Sequence, residues 1–125
     1  MGLDMYALAT KAKLNKEVDF DTINVDTEDI HYWRKHPNLH GWMQGLYESK
    51  GGKSDTFNGD CVVLTESDLE DLEHDLKQWD LPDTQGFFFG QSGTDDETLK
   101  DDLDFVSKAR EAIKEGKTVY YTSWW

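Results

Sequence analysis

The strongest constraint on the fold is a leucine stripe. Between Thr65 and Trp79 the apolar residues Leu69, Leu72, Leu76 and Trp79 recur at spacings of three and four, the period that gathers side chains on one face of an α-helix. The positions between them are polar and mostly acidic. An isolated helix of this length is marginal in water, so such a stripe has to lie on another apolar surface. Thr65 with Asp68 three residues later predicts a capping box at its start, and Pro82 lies beyond its end. A second helix is predicted from a capping box of Thr94 and Glu97, with Leu99, Leu103, Val106, Ala109 and Ile113 facing inward and Gly116 as its stop. A further helix starts at Pro37, a residue suited to the first helical position, and runs to about Ser49 with Leu39, Trp42, Met43 and Leu46 inward.

The surface these helices need comes from short strand-like runs. Residues 2–9 place Leu3, Met5 and Ala7 on one side; residues 61–64, 86–90 and 119–122 are brief apolar runs, and Asn58-Gly59 is a tight-turn signal. Residues 11–25, with Val18, Phe20, Ile23 and Val25, predict a hairpin or excursion. The order gives an α+β fold: one domain spanning 1–125, with about three helices on a small sheet of four or more strands. Leu69, Leu72, Leu76, Trp79, Leu99, Leu103, Val106 and Phe88 are expected to be buried together. Leu, Ile, Val and Phe make up only 27 of the 125 residues, but 16 aromatics add large buriable area.

Charge is unevenly placed. The chain carries 26 acids and 13 bases, and residues 55–104 alone hold 16 acids against Lys77 and Lys100. Direct binding to a nucleic-acid backbone is therefore not expected, since that work needs clustered Lys and Arg. An anionic membrane surface is disfavoured for the same reason. Glu70, Asp71, Glu73, Asp75, Asp101 and Asp102 are the candidate docking acids, expected to present a face to a basic protein partner. The competing reading is a solvated face that keeps the protein soluble.

Several motifs fail on their chemistry. Tyr47–Ser54 nearly spells a phosphate-binding loop, but Tyr47 stands where glycine is required and a helix precedes it instead of a strand. Asp19 and Asp21 begin a calcium-loop pattern that then offers Ile23, Asn24 and Ile30 at the required positions. His36 and His40 are four apart, but Pro37 puts His36 at the helix start, so no metal site is expected. The single cysteine, Cys61, leaves no internal disulfide. No cofactor is implied. The N-terminal residues lack the pattern of a signal peptide and no 18-residue apolar run exists, so a cytoplasmic protein is expected.

The densest unusual cluster is Tyr32-Trp33-Arg34-Lys35 leading into His40 and Trp42. Aromatic walls, cations and a helix start are elements of a small-ligand site. The C-terminal run Tyr120–Trp125 offers more aromatics and two hydroxyls. One shared pocket of Trp33, Arg34, His40, Tyr121, Ser123 and Trp124 is expected. Catalysis would require a hydrogen-bonded nucleophile and base, which this reading expects to be absent, with no catalytic residue assigned.

Met1–Tyr6 (MGLDMY), Tyr32–Lys35 (YWRK), His40 with Trp42 (HGW), Gly86–Gly90 (GFFFG) and Tyr121–Trp124 (YTSW) occur in this order. The set resembles a family of small proteins widespread in bacteriophage and prophage genomes, and the resemblance covers nearly the whole chain. His36-Pro37 and Thr122 depart from the family pattern. The resemblance implies a viral accessory protein, non-enzymatic, that binds a host component in the host cytoplasm. The alternative is a small-ligand-binding protein or enzyme using the aromatic, Arg and His pocket.

Overall fold

A computed structural model describes residues 2–20, 26–86 and 90–125. Its strands are β1 (Asp4–Thr10), β2 (Glu28–Arg34), β3 (Cys61–Leu64) and β4 (Thr118–Trp124); its helices are α1 (Pro37–Ser49), α2 (Glu66–Lys77) and α3 (Asp96–Lys114). The four strands form one antiparallel sheet in the order β2-β1-β4-β3. This is an α+β architecture. Because side chains alternate along a strand, Met5, Ala7 and Ala9 of β1 share one face with Val119 and Tyr121 of β4 and with Val62 and Leu64 of β3. These residues join Leu39 and Met43 of α1, Leu69, Leu72 and Leu76 of α2, and Phe105, Val106 and Ala109 of α3 in the main core.

The other face is half covered. Cys61, Val63 and Tyr120 form a second cluster against Leu8, Leu14 and Phe20. The segment carrying Leu14 and Phe20 is held there by the Val63 amide donating to the Glu17 carbonyl at 2.7 Å and by an isolated bridge between Val18 and Val62. No hairpin forms among described residues 11–20; Ile23 and Val25 lie outside the described residues. Burial pushes the Cys61 thiol upward in pKa, which fits a packing role.

The helix starts follow the sequence chemistry with one shift. Thr65 and Asp68 form the reciprocal capping box of α2. In α3 the cap is Asp95, one residue later than the predicted Thr94: its carboxylate accepts from the Thr98 amide at 3.0 Å and from the Thr98 hydroxyl at 2.7 Å. Aspartate matches threonine or betters it at this position. Helix α2 stops at Lys77, so Trp79 does not continue the stripe. It adopts a left-handed backbone conformation (φ 53°) and is 49% exposed, a correction to its expected burial. Leu99 and Leu103 are only partly buried at the core's edge. The predicted strand at 86–90, with Phe88, falls largely outside the described residues. The unpredicted strand is β2, an edge strand whose only buried residue is Trp33.

Candidate functional site

The expected aromatic pocket is divided by the sheet. Neighbouring residues of a strand point to opposite faces, so Trp33 and Arg34 part company, as do Ser123 and Trp124. Arg34 and Trp124 both pair with Asp4 and stand on the half-covered face, in its open part, where Trp124 is 67% exposed. There Tyr32 donates to an Asp4 carboxylate oxygen at 2.6 Å, and Arg34 lies 3.8 Å from the same oxygen. Tyr121, Ser123 and Trp33 point to the helix-covered face. One cleft shared by Arg34 and Tyr121 is thereby ruled out.

Part of the pocket expectation survives as buried structure. His40, on α1, lies over Tyr121 and Phe57, and its Nδ1 is 2.7 Å from the Tyr121 hydroxyl. Burial raises the pKa of Tyr121 well above the ordinary phenol value, so the hydroxyl hydrogen-bonded to His40 keeps its proton. Ser123, also buried, donates to the Phe57 carbonyl at 3.3 Å. Desolvation lowers the His40 pKa from 6.5 to about 4. Below pH 6.5 the unfolded chain therefore takes up a proton that the folded chain refuses. The contribution is fully present above 6.5 and falls away as pH drops toward 4, a loss of about 3 kcal/mol. Urea unfolding of wild type and His40→Gln across pH 7 to 4 checks this. The wild type should lose the additional stability over that interval; parallel pH profiles would contradict the assignment.

A second hydrogen-bonded cluster lies where the approach to α1 meets α3. His36 is the residue before Pro37 and caps α1 without a side-chain cap bond, which leaves its imidazole available. Its Nε2 is 2.7 Å from Asp102 Oδ2, and its Nδ1 is 2.7 Å from Ser92 Oγ. Asp102 also accepts from Trp33 Nε1 at 3.0 Å. In the tautomer with hydrogen on Nε2, His36 donates to the Asp102 carboxylate and turns its Nδ1 lone pair to the serine. Ser92 Oγ further accepts the Asn38 amide at 3.0 Å, one of the unpaired N–H groups of a helix start. A hydroxyl, an imidazole and a carboxylate are thus in one hydrogen-bonded chain. No hydrogen-bonded nucleophile and base are expected from the sequence; the structure does hold a hydroxyl and an imidazole in hydrogen-bond contact.

The chain opens into a cavity of about 480 Å³. Leu76, Trp79, Leu81 and Leu99 give it an apolar wall; His36, Asn38, Ser92, Thr94, Thr98 and Asp102 give it a polar end. Its size and its division into apolar wall and few polar groups are those of small-molecule sites. The loop bearing Ser92 is closely fitted: a Cβ on Gly93 would fall 2.1 Å from the Thr98 hydroxyl oxygen, so only glycine passes α3 at this distance. A second depression that shares His36, Gly93, Thr98 and Asp102 with this cavity is lined also by Trp33 and Arg34 of the predicted cluster, at the edge of the sheet.

The six candidate docking acids fare unevenly. Asp102 is 2% exposed and belongs to the buried chain, so it presents no docking charge. Asp75 accepts from Trp42 Nε1 at 2.9 Å, and Asp101 lies 3.1 Å from His31 Nε2. Glu73 pairs with Arg110 at 3.1 Å. Glu70 and Asp71 are exposed, with no ion pair among the described residues. No group of three or more metal-ligating side chains is present among the described residues, and among them no helix is long and apolar enough to cross a membrane.

Sequence reasoning missed Ser92 and the inward role of His36 and Asp102. The readable signal was Asp102 itself: it sits three residues after Leu99 and four before Val106, an acid on the apolar stripe of α3. Comparison with protein-family models, curated proteins and solved structures finds no match.

Proposed function

We propose that this protein binds a small, uncharged molecule in the cleft between the start of α1, the end of α2 and the start of α3. The observation that carries this reading is the cavity of about 480 Å³ whose polar end is built from the bonded Ser92 and His36. The ligand chemistry follows from the surroundings. Leucine and tryptophan walls favour an apolar body, and Asp95, Asp96 and Glu97 at the start of α3 together with Asp102 disfavour an anion. The polar end favours a carbonyl or hydroxyl on an otherwise apolar ligand. A neutral environment-sensitive dye, Nile red, tests this. Its emission should rise on binding to the wild type, and Leu99→Trp, which fills the cleft, should remove the rise while the urea midpoint shows that the variant is folded. A rise indifferent to Leu99→Trp, or no rise, would overturn the reading.

A second reading is docking of a basic protein on the outer face of α2, as expected of a phage accessory protein in a host cytoplasm. It is favoured by the 16 acids of residues 55–104 and by the exposure of Glu66, Glu70 and Asp71. Association by this face weakens steeply with salt and with Glu70→Gln and Asp71→Asn. Binding indifferent to both excludes it.

A further inference from the structure

We infer that Ser92 is a nucleophile toward small neutral esters, with His36 as its base and Asp102 as the positioning residue behind His36. The inference rests on the cleft being a ligand site and adds a reaction to it.

Ser92 Oγ has one hydrogen and two lone pairs. One lone pair accepts the Asn38 amide at 3.0 Å, and in the His36 tautomer with hydrogen on Nε2 the hydroxyl hydrogen lies along the 2.7 Å line to Nδ1. The other lone pair is left for an incoming carbon. Ser92 also lines the cavity, so a ligand carbonyl held there meets the hydroxyl directly. As Oγ forms its bond to the ester carbonyl carbon, its proton passes to His36 Nδ1 and the carbonyl π pair moves onto oxygen. Re-formation of the carbonyl breaks the carbon–oxygen bond to the leaving group, and that oxygen takes the proton back from His36. Water then attacks the acylated serine, again giving its proton to His36, which returns it to Ser92 Oγ as the carboxylic acid leaves. The balance is one ester and one water to one acid and one alcohol, with no redox partner.

Three features around the serine favour the first step. Asp102 faces the imidazolium formed on His36 at 2.7 Å and stabilises it. Trp33 Nε1 fixes the other carboxylate oxygen, so the carboxylate cannot rotate away from His36 without losing a bond. The Asn38 amide, at the start of α1, holds Oγ in place between His36 and the cavity by occupying one lone pair. The acid product then meets the local negative charge, which assists its release. Base assistance of this kind is worth about 10²–10⁴-fold in rate.

The test uses the whole chain and two probes, diisopropyl fluorophosphate and p-nitrophenyl acetate, read by intact mass and peptide mapping. The wild type should carry one adduct, on Ser92, formed about 100-fold faster or more than in His36→Gln. Ser92→Ala should carry none there. Asp102→Asn should slow the acylation step while Nile red still binds, a separation that a merely structural role for Asp102 does not give. Where Asp102→Asn fails to fold, the Ser92→Ala and His36→Gln comparison decides alone. Dye binding without a Ser92 adduct, or an adduct formed equally fast in His36→Gln, overturns this inference and leaves the cleft reading standing. Absence of both dye binding and adduct overturns both.

Discussion

Asp102→Ala should lower the unfolding free energy by about 3–5 kcal/mol, the size expected when one member of a buried hydrogen-bonded charged set is removed. Asp102 has almost no exposed surface, and its two oxygens serve Trp33 Nε1 and His36 Nε2. Truncation leaves both donors buried without an acceptor, and each costs its own desolvation. Asp102→Asn should lose less, because an amide oxygen still accepts one of the two bonds. Urea unfolding at pH 7 measures both. A loss below about 1 kcal/mol for Asp102→Ala would mean that the carboxylate is not the centre of the β2–α1–α3 junction.

Leu72→Ala should cost about 2–5 kcal/mol through lost burial and the cavity left behind. Leu72 is fully buried in the main core, with Leu69 and Leu76 on either side along the stripe. Trp79→Ala, three residues past the end of that stripe, should cost less, because Trp79 is half exposed and lies beyond the end of α2. Equal losses for the two, or a Leu72→Ala loss below about 0.5 kcal/mol, would contradict the core assignment.

These two residues also mark what was legible in the sequence. Periodicity identified α2 and the burial of its leucines because local spacing and tertiary packing agree there. It failed at Trp79 because nothing in the stripe itself says where a helix stops, and Gln78 and Trp79 leave helical geometry before the next turn. Pro37 located the start of α1, since proline is both permitted there and restrictive of the residue before it. Strand β2 escaped detection because it is an edge strand: Glu28, Asp29 and Arg34 are exposed, and the register shift opposite Ala7 and Leu8 interrupts its alternation.

The site was less legible than the fold. Arg34 and Trp124 stand in aromatic-rich runs of the sequence, but composition cannot tell which face of a strand a residue takes. A one-residue difference puts each on the opposite side from Trp33 and Ser123. Ser92 had no local signature at all. It becomes a partner of His36 only because its loop crosses the start of α1, bringing together residues 56 positions apart in the chain. Asp102 was counted among surface charges because acids surround it in sequence; its place on the apolar stripe outweighs that, and the donors from Trp33 and His36 make its burial tolerable.

The most direct test of the cleft as the working part of the molecule is a backbone amide NMR titration with small neutral aryl and alkyl esters or their unreactive amides. Saturable shifts should centre on Ser92, Gly93, Thr98 and Leu99, extend to Asn38 and be lost in Leu99→Trp. Shifts centred instead on the open part of the half-covered face around Tyr6, Tyr32 and Trp124, or shifts that Leu99→Trp leaves intact, would contradict that role for the cleft.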